Sequence, residues 1–355
     1  MKTFKKGMVI SMVAAVTFLS CNGPRKDMYQ SMTKIDAHAH IRTEDPAIME
    51  IAKEHGFKFI TINTGSESQE HIDNQMRVAK LVKNSYPDRI SYITTFPMEN
   101  FEDPSWAEEV IIQLQKDFDE GAVGVKVWKD IGMTFRDSLG NFIFIDDPRF
   151  DPVFDFIAGK GKTLIGHIGE PKNCWLPIDS MTVNNDKLYF KEHPQYHMYL
   201  HPEDPSYERL VESRDHVLAK HPDLKFVGAH LGSLEWDVDE LAERLELYPN
   251  FAVDMAARVC HFQVQEREKV KEFLIRYQDR VLYATDIVIS EQDDLQERIA
   301  WLENEWKSDW TYFATGESMN SPHVEGTFEG LDLEEDVLRK IYSSNAMLWF
   351  PGLFE

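Results

Sequence analysis

Eight short runs of β-branched and aromatic residues, each followed by a stretch with helical spacing, restrict the possible folds of this chain more than any other feature. The runs are Lys34–His40, Phe57–Asn63, Ile90–Thr95, Val123–Trp128, Thr163–Ile168, Lys225–Leu231, Phe251–Met255 and Val281–Asp286. Apolar residues between them recur every three to four positions, as in Trp106, Val110, Leu114 and Phe118, or Tyr207, Leu210, Val211, Val217 and Leu218. That is the period of a helix with one buried face. Pro104 and Ser206 stand where those two helices should begin. No Pro-, Gly- or Ser-rich linker interrupts the series from Thr33 to Asn345, so residues 33–355 are expected to form one α/β domain. Such alternation fits an open doubly wound sheet or a closed (β/α)8 TIM barrel. The barrel is the better fit, because polar residues close several separate strands and barrel enzymes keep their sites at that face.

Two connections exceed the usual two to six residues. Gly169–Glu203 carries Trp175, Tyr189, Tyr196, Tyr199 and three histidines, and the segment after Asp286 adds a helix with Trp301, Trp306 and Trp310. Long aromatic loops at the C-terminal face of a barrel are expected to serve as a lid or substrate wall, or to pack along the rim.

The first residues read differently. Lys2, Lys5 and Lys6 precede an apolar run from Met8 to Leu19, which ends in Phe18-Leu19-Ser20-Cys21. A basic start, an apolar stretch too short to span a bilayer and a small residue before the cut make a signal peptide of residues 1–20. A cysteine directly after the small residue is what lipoprotein processing acylates. The expectation is therefore export, a lipid on Cys21, a flexible tether over residues 21–32, and a bacterial membrane met only through that anchor, on its periplasmic or surface face. Ordinary secretion and an uncleaved anchor are the alternatives. Cys174 and Cys260 are too few for a disulfide framework, although one bridge between them is open. A formal net charge of −23 repels phosphate backbones and argues against nucleic acid as a partner. Oligomeric state is left open.

Chemistry concentrates at strand ends. Asp36-Ala37-His38-Ala39-His40 closes the first strand, and alternate strand residues point to one side, so both imidazoles face the same space. His167 closes Leu164-Ile165-Gly166-His167, His230 closes Val227-Gly228-Ala229-His230, and Asp286 closes Leu282-Tyr283-Ala284-Thr285-Asp286. Each polar group follows an apolar run, where an unpaired polar atom is costly.

This series resembles the amidohydrolase superfamily, in particular the amidohydrolase-related branch that also contains metal-dependent decarboxylases. The resemblance rests on Asp36-Ala37-His38-Ala39-His40, His167-Ile168-Gly169-Glu170-Pro171, His230-Leu231-Gly232, Asp286 and the closing Asn345-Ala346-Met347-Leu348-Trp349-Phe350. It implies that His38, His40, His167 and Asp286 bind one divalent ion, zinc, with water in an open position. It further implies that Asp286 relays the water's proton and that His230 polarises the substrate carbonyl. Lys126, where another branch carries a carboxylated lysine bridging two metals, is read here as a substrate contact or salt-bridge partner. Arg258 is either an anion-binding group or a structural partner of Asp254 or Glu170, and Glu170 itself is a candidate substrate contact. The function so implied is hydrolysis of a lactone, amide or ester of a small anionic or sugar-derived molecule by metal-bound hydroxide. A non-oxidative decarboxylase and a non-catalytic surface binding protein are the competing readings.

Overall fold

A computed structural model of the protein describes residues 22–65 and 68–355. The expected signal peptide, residues 1–20, and Cys21 lie outside the described residues. Eight parallel strands follow in order: β1 (Lys34–Arg42), β2 (Phe57–Ile62), β3 (Ile90–Ile93), β4 (Gly124–Val127), β5 (Thr163–Gly166), β6 (Lys225–Gly228), β7 (Phe251–Asp254) and β8 (Val281–Leu282). They pair as β3-β2-β1 and as β4-β5-β6-β7-β8. Hydrogen bonds join the two sets at both seams. Thr94 N donates to Gly124 O (3.1 Å) and Lys126 N to Thr94 O (2.7 Å), while Ala37 N donates to Tyr283 O (3.0 Å) and Asp286 N to His38 O (2.9 Å). The strands thus close into a (β/α)8 barrel. A short β9 (Val288–Ser290) pairs with the end of β1 at His40–Arg42.

Side-chain alternation divides the strands between two cores. Inward residues such as Ile35, Ile60, Ile93, Ile165, Val227 and Leu282 fill the barrel, against Trp349 and Phe350. Outward residues such as Phe57, Phe59, Leu164, Phe226 and Val253 meet the helices. β1 departs from simple alternation. Asp36 pairs with Phe59 but Ala39 with Thr61, one extra residue on β1, so a bulge surrounds His38. Ile35 and Ala37 point inward before it, whereas Ala39 and Ile41 point outward after it. The bulge shifts the inward parity and gives His38 and His40 to the barrel mouth.

One sequence expectation is corrected, and the structure fills in two that were open. Residues 22–31 form a helix rather than a flexible tether, and Tyr29 and Met32 are buried. The cause is Lys34 at the start of β1, whose buried ammonium donates to Tyr29 O (2.6 Å) and Met32 O (2.9 Å) beneath the Tyr29 ring. Cys174 and Cys260 are both free: the first packs with Met181 and Phe190, the second with Val183 and Val324, in separate clusters. The stretch Gly169–Glu203, expected as a lid, a substrate wall or rim packing, is a cap of short 3-10 turns and the helix Asn184–Glu192, with Asn185, Asp186 and Tyr189 on the cavity. Among the described residues, no helix is long and apolar enough to cross a membrane.

Candidate active site

His38 and His40 stand just past the bulge, and each is aimed by a partner that can only accept. His38 Nδ1 bonds Asp254 Oδ2 (2.9 Å), both side chains fully buried, and His40 Nδ1 bonds the carbonyl of Ile62 (2.8 Å). His230 Nδ1 bonds Ala256 O (2.9 Å). An acceptor-only partner places the proton on Nδ1 and leaves the Nε2 lone pair free. Two of these lone pairs, on His38 and His40, lie 3.5 and 3.3 Å from Asp286 Oδ1. Ligand atoms of His38, His230 and Asp286 lie within 4.8 Å of one another. His167 adds a buried imidazole 4.2 Å from His230 between ring centres, and neither of its nitrogens has a hydrogen-bond partner.

The chain is strained to place two of these groups. β6 stops at Gly228, and His230, Leu231, Gly232 and Ser233 then wind through a left-handed turn with φ of 58°, 57°, 62° and 57°. Asp286 follows β8 with φ of 67°. Left-handed backbone costs about 1–2 kcal/mol per ordinary residue and persists only where its surroundings hold it. Here Asp254 Oδ1 accepts His230 N (2.9 Å), and Ser233 Oγ donates to Ile168 O (2.9 Å). The expected strands ended at Leu231 and Asp286. The β6 ladder stops at Gly228 because the left-handed turn cannot continue it, and β8 stops at Leu282, ahead of Asp286.

Charge follows burial. Desolvation pulls His230 down to about 3 and also lowers His40 and His167, so all three imidazoles are neutral at pH 7. Burial raises Asp286, while His230, His40 and His38 lower it on balance, an attraction that acts only when those imidazoles are protonated and so belongs to low pH. Three free nitrogen lone pairs, one orphaned imidazole and an ionised carboxylate at one mouth fit a divalent cation.

The other candidates divide. Lys126 is fully buried inside the barrel with Nζ 3.4 Å from His38 Nε2, and burial lowers it to about 8. It therefore neighbours the histidines and not the cavity wall. Glu170 pairs with Lys129 and reaches within 3.9 Å of His167. Arg258 is 8 % exposed, with Nη1 on Ala257 O (3.0 Å) and Nε unpartnered. Burial lowers it, but Asp186, Glu235 and Glu170 keep it raised. A cavity of roughly 470 Å³ opens over the site, with Trp128, Lys129 and Arg258 on the barrel side and Asn185, Asp186 and Tyr189 of the cap opposite.

One role read from the resemblance does not fit. With its proton on Nδ1, neutral His230 offers a lone pair at Nε2 and has no hydrogen there with which to polarise a carbonyl. Sequence reasoning also missed Asp254, which orients His38 and holds the turn carrying His230. Its signal was an acid closing the apolar run Phe251-Ala252-Val253.

An eight-stranded barrel with His38, His230 and Asp286 converging at its carboxyl face offers a candidate divalent-metal site of the kind barrel enzymes use. The chain belongs to the amidohydrolase family, whose model matches residues 35–351, and is an enzyme of that type. No curated protein matches the sequence closely enough to count as a relative. Among solved structures it is similar to 2,6-dihydroxybenzoate decarboxylase from Rhizobium, with 15 % identity, a TM-score of 0.54, and 90 % of this chain and 98 % of that one covered. It is likewise similar to 4-oxalomesaconate hydratase from Rhodopseudomonas palustris, with 14 % identity, a TM-score of 0.51, and 90 % and 96 % covered. At these identities the likeness is one of fold.

Proposed function

We propose that the protein hydrolyses a lactone, amide or ester bond in a small anionic or sugar-derived molecule, with one zinc ion held by His38, His40, His167 and Asp286. The observation that carries this reading is the orientation of His38 and His40 by acceptor-only partners at Nδ1, which turns both Nε2 atoms to Asp286 Oδ1 at 3.5 and 3.3 Å beside the unpartnered His167. Zinc held by those residues would supply Lewis-acid chemistry, lowering the pKa of a water toward about 7 and offsetting charge on a carbonyl oxygen. The chain does the rest. His230 Nε2 accepts a hydrogen bond from the attacking water and lines it up. Asp286, its side chain 30 % exposed, takes the water's proton as the new C–O bond forms. It returns that proton to the departing oxygen or nitrogen as the old bond breaks. Arg258, buried with a free Nε at the cavity wall, binds an anionic group of the substrate.

The likeness to 2,6-dihydroxybenzoate decarboxylase supplies the competing reading, in which a carbon–carboxylate bond breaks. A panel of lactones, amides, esters and aromatic carboxylates, given to zinc-loaded protein with acid and carbon dioxide release both followed, separates them. Acid without carbon dioxide supports hydrolysis; carbon dioxide release, or zinc-loaded protein inert toward the whole panel, contradicts it. We also infer that the mature chain begins at acylated Cys21 and is held to a bacterial membrane. Ser20-Cys21 after the apolar run supports this.

A further inference from the structure

The cavity forks at Asp286. A second chamber, roughly 180 Å³, runs from Asp286 and Arg258 along the helix Leu295–Ala314, and Asn185, Arg258 and Asp286 line both arms. Trp301, Glu305 and Ser308 are one turn apart and share a helix face. That face lines the chamber, whereas Leu302, Trp306 and Trp310 bury the opposite face in the core. Trp301 keeps 38 % of its surface exposed. Glu305 Oε1 lies 3.4 Å from His323 Nε2 on the facing loop. That loop is fastened to the cap, since Asn184 N donates to His323 O (2.7 Å) and Lys187 pairs with Glu325 (3.0 Å). Across the chamber, Gln263 Oε1 and Arg258 Nε are buried without hydrogen-bond partners. Buried polar atoms are paired in folded proteins unless a ligand or water completes them, and here an acceptor and a donor are both open on one chamber.

We propose that this chamber is a subsite for a polyhydroxylated group, a sugar ring or aldonic-acid chain, on the side of the substrate away from Lys129 and Tyr189. The assignment rests on the hydrolase reading and deepens it. A hydroxyl is both donor and acceptor, which matches a lining that offers Gln263 Oε1 and Glu305 as acceptors and Ser308 as a donor, with Arg258 Nε at the fork for the acid group. The indole face of Trp301 suits the C–H face of such a chain. Arg258 faces the acids Glu305, Asp286 and Asp309 across the lining, so the chamber is polar and of mixed charge rather than uniformly cationic.

The test is calorimetric binding to the zinc-loaded mature protein. The probes are four-, five- and six-carbon aldonates, with glycolate as the same acid lacking the polyol. At least one aldonate should bind more tightly than glycolate. Trp301→Ala and Glu305→Gln should each weaken the aldonate about tenfold, the loss of one stacking or hydrogen-bonding contact of about 1.4 kcal/mol, and leave glycolate unchanged. Trp301 is partly exposed, so an intact melting transition in its variant is expected and is checked alongside. Aldonates that bind no better than glycolate, or that keep their affinity in both folded variants, overturn the subsite. Aldonate binding that depends on Trp301 without turnover of any lactone, amide or ester retains the subsite and rejects the hydrolase reading. Turnover without such binding does the reverse.

Discussion

Replacing Asp254 with asparagine changes one atom of a group that never faces the cavity, yet it should weaken metal binding. Asp254 Oδ2 accepts from His38 Nδ1 at 2.9 Å, while Oδ1 accepts from His230 N and Ala256 N at 2.9 and 3.1 Å. An asparagine that keeps its oxygen toward the two backbone N–H groups must turn its NH2 toward His38. His38 then has to accept at Nδ1, which moves its own proton to Nε2 and removes the lone pair from the ligand position. Partners of this kind change metal affinity by about 10–100-fold when lost, or about 1.4–2.8 kcal/mol. The opposite amide orientation leaves two buried backbone donors unpaired, at about 1–3 kcal/mol each, and would appear as lost stability. Zinc affinity measured by chelator competition at pH 7, beside urea unfolding of the metal-free protein, separates the two outcomes. We expect weaker zinc with a nearly unchanged unfolding midpoint. Unchanged zinc affinity together with unchanged stability would refute the argument that Asp254 sets the His38 tautomer.

Three further outcomes are expected. Burial raises Asp36 from 3.8 to about 6; because the folded value is the higher, its contribution is complete below about pH 4 and is lost as pH rises through about 6, a loss of about 3 kcal/mol. In metal-free protein, urea unfolding of Asp36→Asn should lack that decline, and a wild-type-minus-variant difference that stays flat with pH contradicts it. Metal analysis of the zinc-loaded protein should give close to one ion per chain, whereas two would move Lys126, 3.4 Å from His38 Nε2, into the metal site. Cys21→Ala should leave the membrane fraction on cell fractionation; equal membrane retention removes the lipid anchor.

Much of the fold was legible because both signals behind it are local. Short β-branched and aromatic runs marked all eight strands, and helical spacing marked Trp106–Asp119 and Tyr207–Lys220. Strand ends were less legible, because β6 gives way to a left-handed turn at His230 held by Asp254 of the neighbouring strand, and β8 ends at Leu282, ahead of the left-handed Asp286. The bulge at His38 is likewise a property of pairing with β2, which one strand's sequence does not carry. His38, His40, His167, His230 and Asp286 could be picked out because each closes an apolar run. Their tautomers could not, since the partners are a carboxylate 216 residues away and backbone carbonyls of neighbouring strands. The N-terminal helix was missed because Gly23, Pro24 and polar neighbours suggest a tether, and only Lys34 and the aromatic pocket around Tyr29 show why it docks.

The central claim is that Asp286 both holds the metal and carries the proton, and Asp286→Asn tests it most directly. Asparagine keeps the size and one oxygen that can coordinate, but its amide cannot take up the water's proton. Zinc content and kcat of the variant should be measured together, on whichever substrate the panel identifies. The account predicts largely retained zinc and a kcat lower by about 10²–10⁴-fold, the usual contribution of general acid–base catalysis. Near-normal turnover with zinc bound would contradict the mechanism.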